Sequence, residues 1–353
     1  MNLKNILALC LVMAAALYTS ADTTYKYIDY RYPTLRDEII SVSVPSFIDT
    51  AVTDVETFLP TINSEEQKPE EKAEEKAEDE AIETATPGAA VGKITDRFIS
   101  PYGANTSYNK VYLKNNSGAS IDLKALLKPD LSFKIQKNSL PQVLIMHTHT
   151  TESYMSEQRD YYVADDVARR TDINKNMAYI GNIFAEKLKS AGIGVIHDKT
   201  LHDHPSYTGS YDRSAKTVKK HLKENPSIKI VIDIHRDAIS SSDKTKSRPV
   251  VEIDGQRLAQ VMLVMGSQTG GISNFPEWKQ NLSLAVKYQQ TMEVMYPGLA
   301  RAITLNSAKY NQNLTVGSIL LEVGSEANTY KEAAAAAEAA ATALVSLLNT
   351  QQQ

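Results

Sequence analysis

His147–Thr148–His149–Thr150–Thr151–Glu152 follows directly on the apolar run Val143–Leu144–Ile145–Met146. An imidazole nitrogen and a carboxylate oxygen leaving one strand end so close together are the donors that zinc takes at about 2.0–2.2 Å. The pair is read as His149 and Glu152. If the strand continues, His147 points the same way as His149, because residues two apart share a face. His147 then stands either as the ligand in place of His149 or as a group that orients substrate, and the sequence leaves both readings open. A second apolar run, Ile230–Val231–Ile232–Asp233–Ile234–His235–Arg236–Asp237, supplies His235 as the third expected ligand. Arg236 is read as a fork for a substrate carboxylate or an oxyanion, and equally as the partner of Asp237 or Asp233. In the third run, Ile319–Leu320–Leu321–Glu322–Val323–Gly324, a carboxylate stands among apolar strand residues. It is the expected general base for a zinc-bound water. Asp172 is the alternative carboxylate ligand to Glu152 and, with Asn174, a candidate helix cap. Tyr207, Tyr211 and Tyr310 are candidate groove residues for substrate, with plain surface packing as the competing reading. His202 and His204 lie in a polar loop, and His197 and His221 read as ordinary strand-end and helix-surface residues.

Such groups need rigid elements to bring them together. Strands are predicted at 143–146, 193–197, 229–234, 261–265 and 319–323. Helices are predicted at 173–191, 212–224, 279–295 and 330–348, with a short helical patch at 123–127. Ile173, Met177, Ile180, Phe184 and Leu188 recur at helical spacing, and Gly192 follows as a cap. The alternation predicts an α/β fold, a mostly parallel twisted sheet with helices on both faces. Ligands of such sheets bind beyond the carboxyl ends of strands, where all three polar segments fall.

The chain has 353 residues, 42% of them hydrophobic, enough for a packed core. Residues 65–80 hold nine acids and three lysines, a net of −6; subtracting this from the whole-chain −4 leaves +2 for the remainder. That balance is too mild for a nucleic-acid partner. Residues 6–17 are uninterruptedly apolar, too short to span a bilayer and right for a signal-peptide core, with Thr19–Ser20–Ala21 beyond. Residues 1–21 are therefore read as a signal peptide or membrane anchor, 22–61 as a stalk or partner-contact segment, and 62–100 as a disordered acidic, Ala-rich spacer. Residues 101–353 are read as the catalytic domain, placed on the extracytoplasmic side of the membrane. The one cysteine, Cys10, lies in the apolar stretch, so any zinc must be held by His, Asp and Glu.

The segments from Pro141 to Tyr154, His202–Asp203 with Pro205–Ser206–Tyr207 and Gly209–Ser210–Tyr211, and Asp233 to Ala238 resemble the stage II sporulation protein P family. So do Tyr296–Pro297–Gly298–Leu299, Tyr310–Asn311–Gln312 and Leu321–Glu322–Val323–Gly324. The resemblance covers about residues 105–350. It implies a peptidoglycan hydrolase with N-acetylmuramoyl-L-alanine amidase and endopeptidase activity, acting in forespore engulfment. Its implied partners are a lytic transglycosylase and a membrane anchoring protein of the engulfment machinery. It also implies a fold like that of zinc amidases and zinc carboxypeptidases, with one zinc ion on His149, Glu152 and His235 and with Glu322 as base. A non-catalytic cell-envelope scaffold and a zinc carboxypeptidase of stem peptides are the competing functions.

Overall fold

The computed structural model describes residues 89–350 except Lys137, Asp165 and Val167. The expected leader or anchor, the stalk and the spacer up to residue 88 lie outside the described residues. In chain order the strands are β1 (Ala90–Arg97), β2 (Thr106–Tyr108), β3 (Val111–Asn115), β4 (Pro141–Met146), β5 (Tyr161–Val163) and β6 (Gly194–His197). They continue with β7 (Ile230–Asp237), β8 (Thr245–Ile253), β9 (Gln256–Ala259), β10 (Val261–Gly266), β11 (Ile303–Asn306) and β12 (Ser318–Ser325). The helices are α1 (Leu123–Leu127), α2 (Met177–Ser190), α3 (Ser210–Glu224), α4 (Trp278–Met295) and α5 (Tyr330–Thr350).

The large sheet has the order β2–β3–β11–β10–β12–β7–β4–β6. Its pairings are parallel except β2–β3 and β10–β12, so strand direction reverses inside the sheet at the β10–β12 seam. The fold is α/β with a mostly parallel sheet. A second sheet, β5–β1–β8–β9, lies beside it. Alternation along the strands sorts side chains between two faces. Val143 and Ile145 of β4, Ile230, Ile232 and Ile234 of β7, and Ile319, Leu321 and Val323 of β12 enter the main core with α2, α4 and α5. Burying each such side chain contributes about 1.5–3 kcal/mol. Leu144, Met146 and Val231 turn the other way and pack with Val218 of α3. Asp233, His235 and Glu322 are thereby left on the α3 face, which is where the polar groups gather.

Helix α2 begins at Met177 rather than Ile173. Asn176 caps it by accepting from Ala178 N at 2.9 Å, while Asp172 closes a separate turn, accepting from Asn174 N at 3.0 Å. Ile173, counted above in the apolar stripe, is exposed. Helix α5 starts with a reciprocal cap: Thr329 Oγ1 accepts from Glu332 N at 3.2 Å and Glu332 Oε2 accepts from Thr329 N at 2.9 Å. Among the described residues α5 alone is long and apolar enough to cross a membrane. Its alanine-rich face packs against α2, α4 and β9 inside the domain. The ordered domain also starts earlier than the expected boundary at 101. β1 lies in what was read as spacer; it pairs with β5 and β8, and Ile94 packs with Met155 and Ala327. Ile94 is the one buried side chain in β1, which is why no strand period is visible there.

Candidate active site

Strand β7 and the turn after β4 bring the expected ligands together. Glu152 Oε2 lies 3.6 Å from His235 Nδ1 and accepts from Arg236 N at 3.1 Å. The His149 and His235 rings meet edge to face with centroids 5.3 Å apart. Glu322 is the register partner of His235 on the neighbouring parallel strand and half-buried. A left-handed Gly324 (φ +68) follows, and the register shifts between Glu322 and Ser325. A Cβ at 324 would lie 2.6 Å from Asn328 Oδ1 and 2.9 Å from the Ala259 side chain, so glycine is required there.

The second imidazole, His147, goes elsewhere. Its ring lies on the α2 side of the sheet, donating from Nδ1 to Ile234 O at 2.8 Å and accepting at Nε2 from His197 Nε2 at 2.9 Å. Both rings sit against Gly181, where an added Cβ would be 2.4 Å from His197 Nε2 and 2.7 Å from His147 Nε2. Asp172 is exposed, on the surface turn preceding α2. Arg236 is buried, and its Nη2 donates to Ala168 O at 3.1 Å. Asp237 pairs with Arg301 at 2.8 Å, and Asp233 is occupied by Thr148 N at 2.8 Å and Thr148 Oγ1 at 2.6 Å.

The three tyrosines form a row. Tyr207 stacks on His149 (centroids 4.4 Å, interplanar 9°), Tyr211 meets His149 edge-on at 5.7 Å, and Tyr310 lies 6.3 Å from Tyr211. The Arg169 guanidinium covers Tyr207 at 4.6 Å. Arg169 also pairs with Asp203 at 2.8 Å and approaches Glu152 at 3.9 Å. Asp203 in turn accepts from Thr151 N at 3.1 Å and from its hydroxyl at 2.5 Å, pinning the turn that carries His149 and Glu152. The sequence reading missed Arg169 and Asp203. Asp203 stood in a quoted motif beside His202, whereas nothing about Arg169–Arg170 marks it. The buried His202 ring joins His147 O at 2.7 Å and Thr217 Oγ1 at 2.9 Å, fastening its loop to the end of β4.

Burial dominates the electrostatics. It pushes His149 well below the usual imidazole range, helped by His235, Arg169, Arg236 and Arg213, so His149 is neutral. Burial also presses on His235, but Asp233, Glu152 and Glu322 override it and lift its pKa to about 10. Burial raises the Glu152 carboxyl against the pull of Arg236, His235 and Arg169. A neutral imidazole thus faces a point where three carboxylates favour a positive charge, which a proton on His235 or a cation bound by its deprotonated ring would supply. His149 Nδ1 is buried with no hydrogen-bond partner, a cost that native interiors rarely leave standing. Two donors on one tetrahedral zinc stand about 3.4 Å apart, close to the 3.6 Å between His235 Nδ1 and Glu152 Oε2. His235 Nε2 is turned to Asp233 Oδ1 at 2.8 Å, off the hydrogen-bond direction. No three His, Cys, Asp or Glu side chains among the described residues close on a single point as they stand. The donor set fits a metal by chemistry and pair spacing.

The class defined here is an α/β protein with a buried His–Glu centre on adjoining parallel strands. The chain belongs to the Stage II sporulation protein P (SpoIIP) family, whose profile matches residues 31–345. The Stage II sporulation protein P of Bacillus subtilis (strain 168) is 34% identical over 210 residues, covering 56% of this chain and 49% of that protein. The chain thus spans about half the length of this curated relative. Among solved structures, the CwlD amidase from Clostridioides difficile, in complex with the GerS lipoprotein, matches at 15% identity and a TM-score of 0.38, over 60% of this chain and 98% of that one. The N-acetylmuramoyl-L-alanine amidase AmiC2 of Nostoc punctiforme matches at 12% identity and a TM-score of 0.33, over 59% of this chain and 96% of that one.

Proposed function

We propose that this chain is a zinc-dependent peptidoglycan hydrolase of sporulation, cutting the amide between muramic acid and L-alanine and also splitting peptide cross-links. The observation that carries the reading is the pair Glu152 Oε2 and His235 Nδ1 at 3.6 Å beside a His149 ring whose Nδ1 is buried and unpartnered, one strand from Glu322. Family membership supports the substrate class. His149, rather than His147, is the proposed ligand, because both nitrogens of His147 are engaged within the fold. Glu152 is preferred to Asp172 because its Oε2 lies 3.6 Å from His235 Nδ1, whereas Asp172 is exposed on a surface turn. When bound, zinc would lower the pKa of a coordinated water toward about 7 and polarise the scissile carbonyl.

The chain's own residues do the rest. Glu322 takes the proton of the attacking water and returns it to the leaving amine. The Arg236 backbone N–H holds Glu152 Oε2 in place, and its guanidinium adds positive potential beside the reacting carbonyl. Tyr207 and Tyr211 wall the site, and Tyr310 continues the wall. We place the protein outside the membrane during engulfment, with a lytic transglycosylase and a membrane anchoring protein as partners.

Purified peptidoglycan digested with the full chain and analysed by mass spectrometry is the test. Free stem peptides mark amidase action and split cross-links mark endopeptidase action. Glu322→Gln is expected to slow release by about 10²–10⁴-fold, and chelation to abolish it. Undiminished release from metal-free protein would overturn the reading, and loss of only a terminal residue would mark a carboxypeptidase.

A further inference from the structure

Helix α3 covers the second face of the large sheet only over β4 and its neighbours. Beyond β12 that face carries no α-helix among the described residues; Leu320 and Val264 on it are buried, while Met262, Thr304 and Lys114 reach the surface. The register is continuous. Glu322 of β12 pairs with Met262 of β10; two residues along, Leu320 pairs with Val264, Val264 with Thr304 of β11, and Thr304 with Lys114 of β3. Leu263, Leu305 and Leu113 point into the main core, so Met262, Thr304 and Lys114 lie on the face that bears Glu322 and His235. Thr304 Oγ1 reaches Met262 Sδ at 3.5 Å, confirming that they share it. Met262 and Thr304 are part-exposed and Lys114 is exposed. Tyr310 borders this floor, its hydroxyl accepting from Asn306 Nδ2 at 3.0 Å, and Asn306 is held by Asn116 at 3.1 Å. The floor is therefore continuous with the proposed catalytic centre, apolar and hydroxylic near it and cationic at its far end.

We propose that this open half of the sheet is the subsite for the peptide arm of the substrate, and that Lys114 receives a free carboxylate at the arm's distal end. The inference rests on the hydrolase reading of the same site. Its length fits. Three strand spacings of about 4.8 Å separate β12 from β3, about 14 Å in all, which an extended peptide covers in about four residues. The recognised ligand is thus a short acyl-peptide with an anionic group about four residues from the cut bond.

Calorimetric titration tests it, using the full chain carrying Glu322→Gln to prevent turnover. The probes are a soluble muramoyl tetrapeptide with a free terminal carboxylate and the same peptide as its terminal amide. Lys114→Ala is expected to weaken the free acid about two- to fivefold, the scale of an exposed ion pair, and to leave the amide unchanged. Lys114→Arg restores the free acid. Thr304→Trp, which fills the floor, weakens both peptides while the melting temperature stays put. Equal affinity for acid and amide with Lys114 present, or no measurable binding of either, overturns the subsite. Selective binding of the acid combined with no turnover of peptidoglycan by the unmutated chain leaves the subsite standing and removes the hydrolase reading instead.

Discussion

Single imidazoles show how one residue type divides its work here. His147 and His197 are neutral in the fold, held by burial at pKa values of about 4 and about 2. Their tautomers form a chain: Nδ1–H of His147 donates to Ile234 O, and Nε2–H of His197 donates to the free nitrogen of His147. Below pH 6.5 an unfolded chain takes up a proton on each ring and the folded chain does not. Their contribution is therefore complete above pH 6.5 and is lost as the pH falls toward 4 and below, by about 1 kcal/mol per pH unit for each ring. Thermal melts from pH 7 to pH 5 should show this slope, to which the buried His149 adds in the same direction, and His197→Gln should reduce the total by about a third. Identical slopes in the two proteins would contradict the assignment. His235 titrates the other way, its raised pKa placing any loss above neutrality, so it does not disturb this window.

Elements set which of these side chains meet. Gly181 stands mid-way along α2, where alanine ordinarily improves a helix by about 1 kcal/mol. Here the added methyl would press on both imidazoles, so Gly181→Ala is expected to destabilise by about 1–3 kcal/mol. Chemical denaturation reads the sign, and a stabilised variant would show that the two rings move aside. The strands and helices around the site were legible in the sequence. Apolar runs buried on both faces announce β4, β7 and β12, and α2, α3, α4 and α5 carry clear helical spacing. Strands β1, β2, β3, β5, β8, β9 and β11 were not. They are short or half-exposed, as in Tyr161–Val163 and Gln256–Ala259, and long-range pairing rather than local pattern makes them strands. The same limit applies to the site. His149, Glu152, His235 and Glu322 stand at visible strand ends, whereas Arg169 and Asp203 matter only through what the fold sets beside them.

At the scale of the molecule, the domain reaches back to Ala90. Asp96 of β1 pairs with Arg248 of β8 at 2.7 Å and Arg257 of β9 at 2.8 Å, and Arg257 also ties β9 to the start of α5 through Glu332. Burial alone would raise the Asp96 carboxyl, yet the two guanidinium groups hold it below its usual value. A chain cut to begin at residue 101 loses Ile94 from its small core and exposes the edges of β5 and β8. It should be less stable by at least about 2 kcal/mol than one beginning at residue 89. Equal melting temperatures for the two fragments would show that β1 is dispensable.

The parallel arrangement of β4, β7 and β12 has one more result. Arg236 and the Glu152 it holds are 84 residues apart in the chain, and Glu322 follows at a similar remove on β12. No local piece of backbone assembles the centre, which exists only once the sheet has closed. On the hydrolase reading proposed above, a nascent chain, or one nicked anywhere between those strands before they pair, is expected to be inert, so folding itself serves as the safety catch.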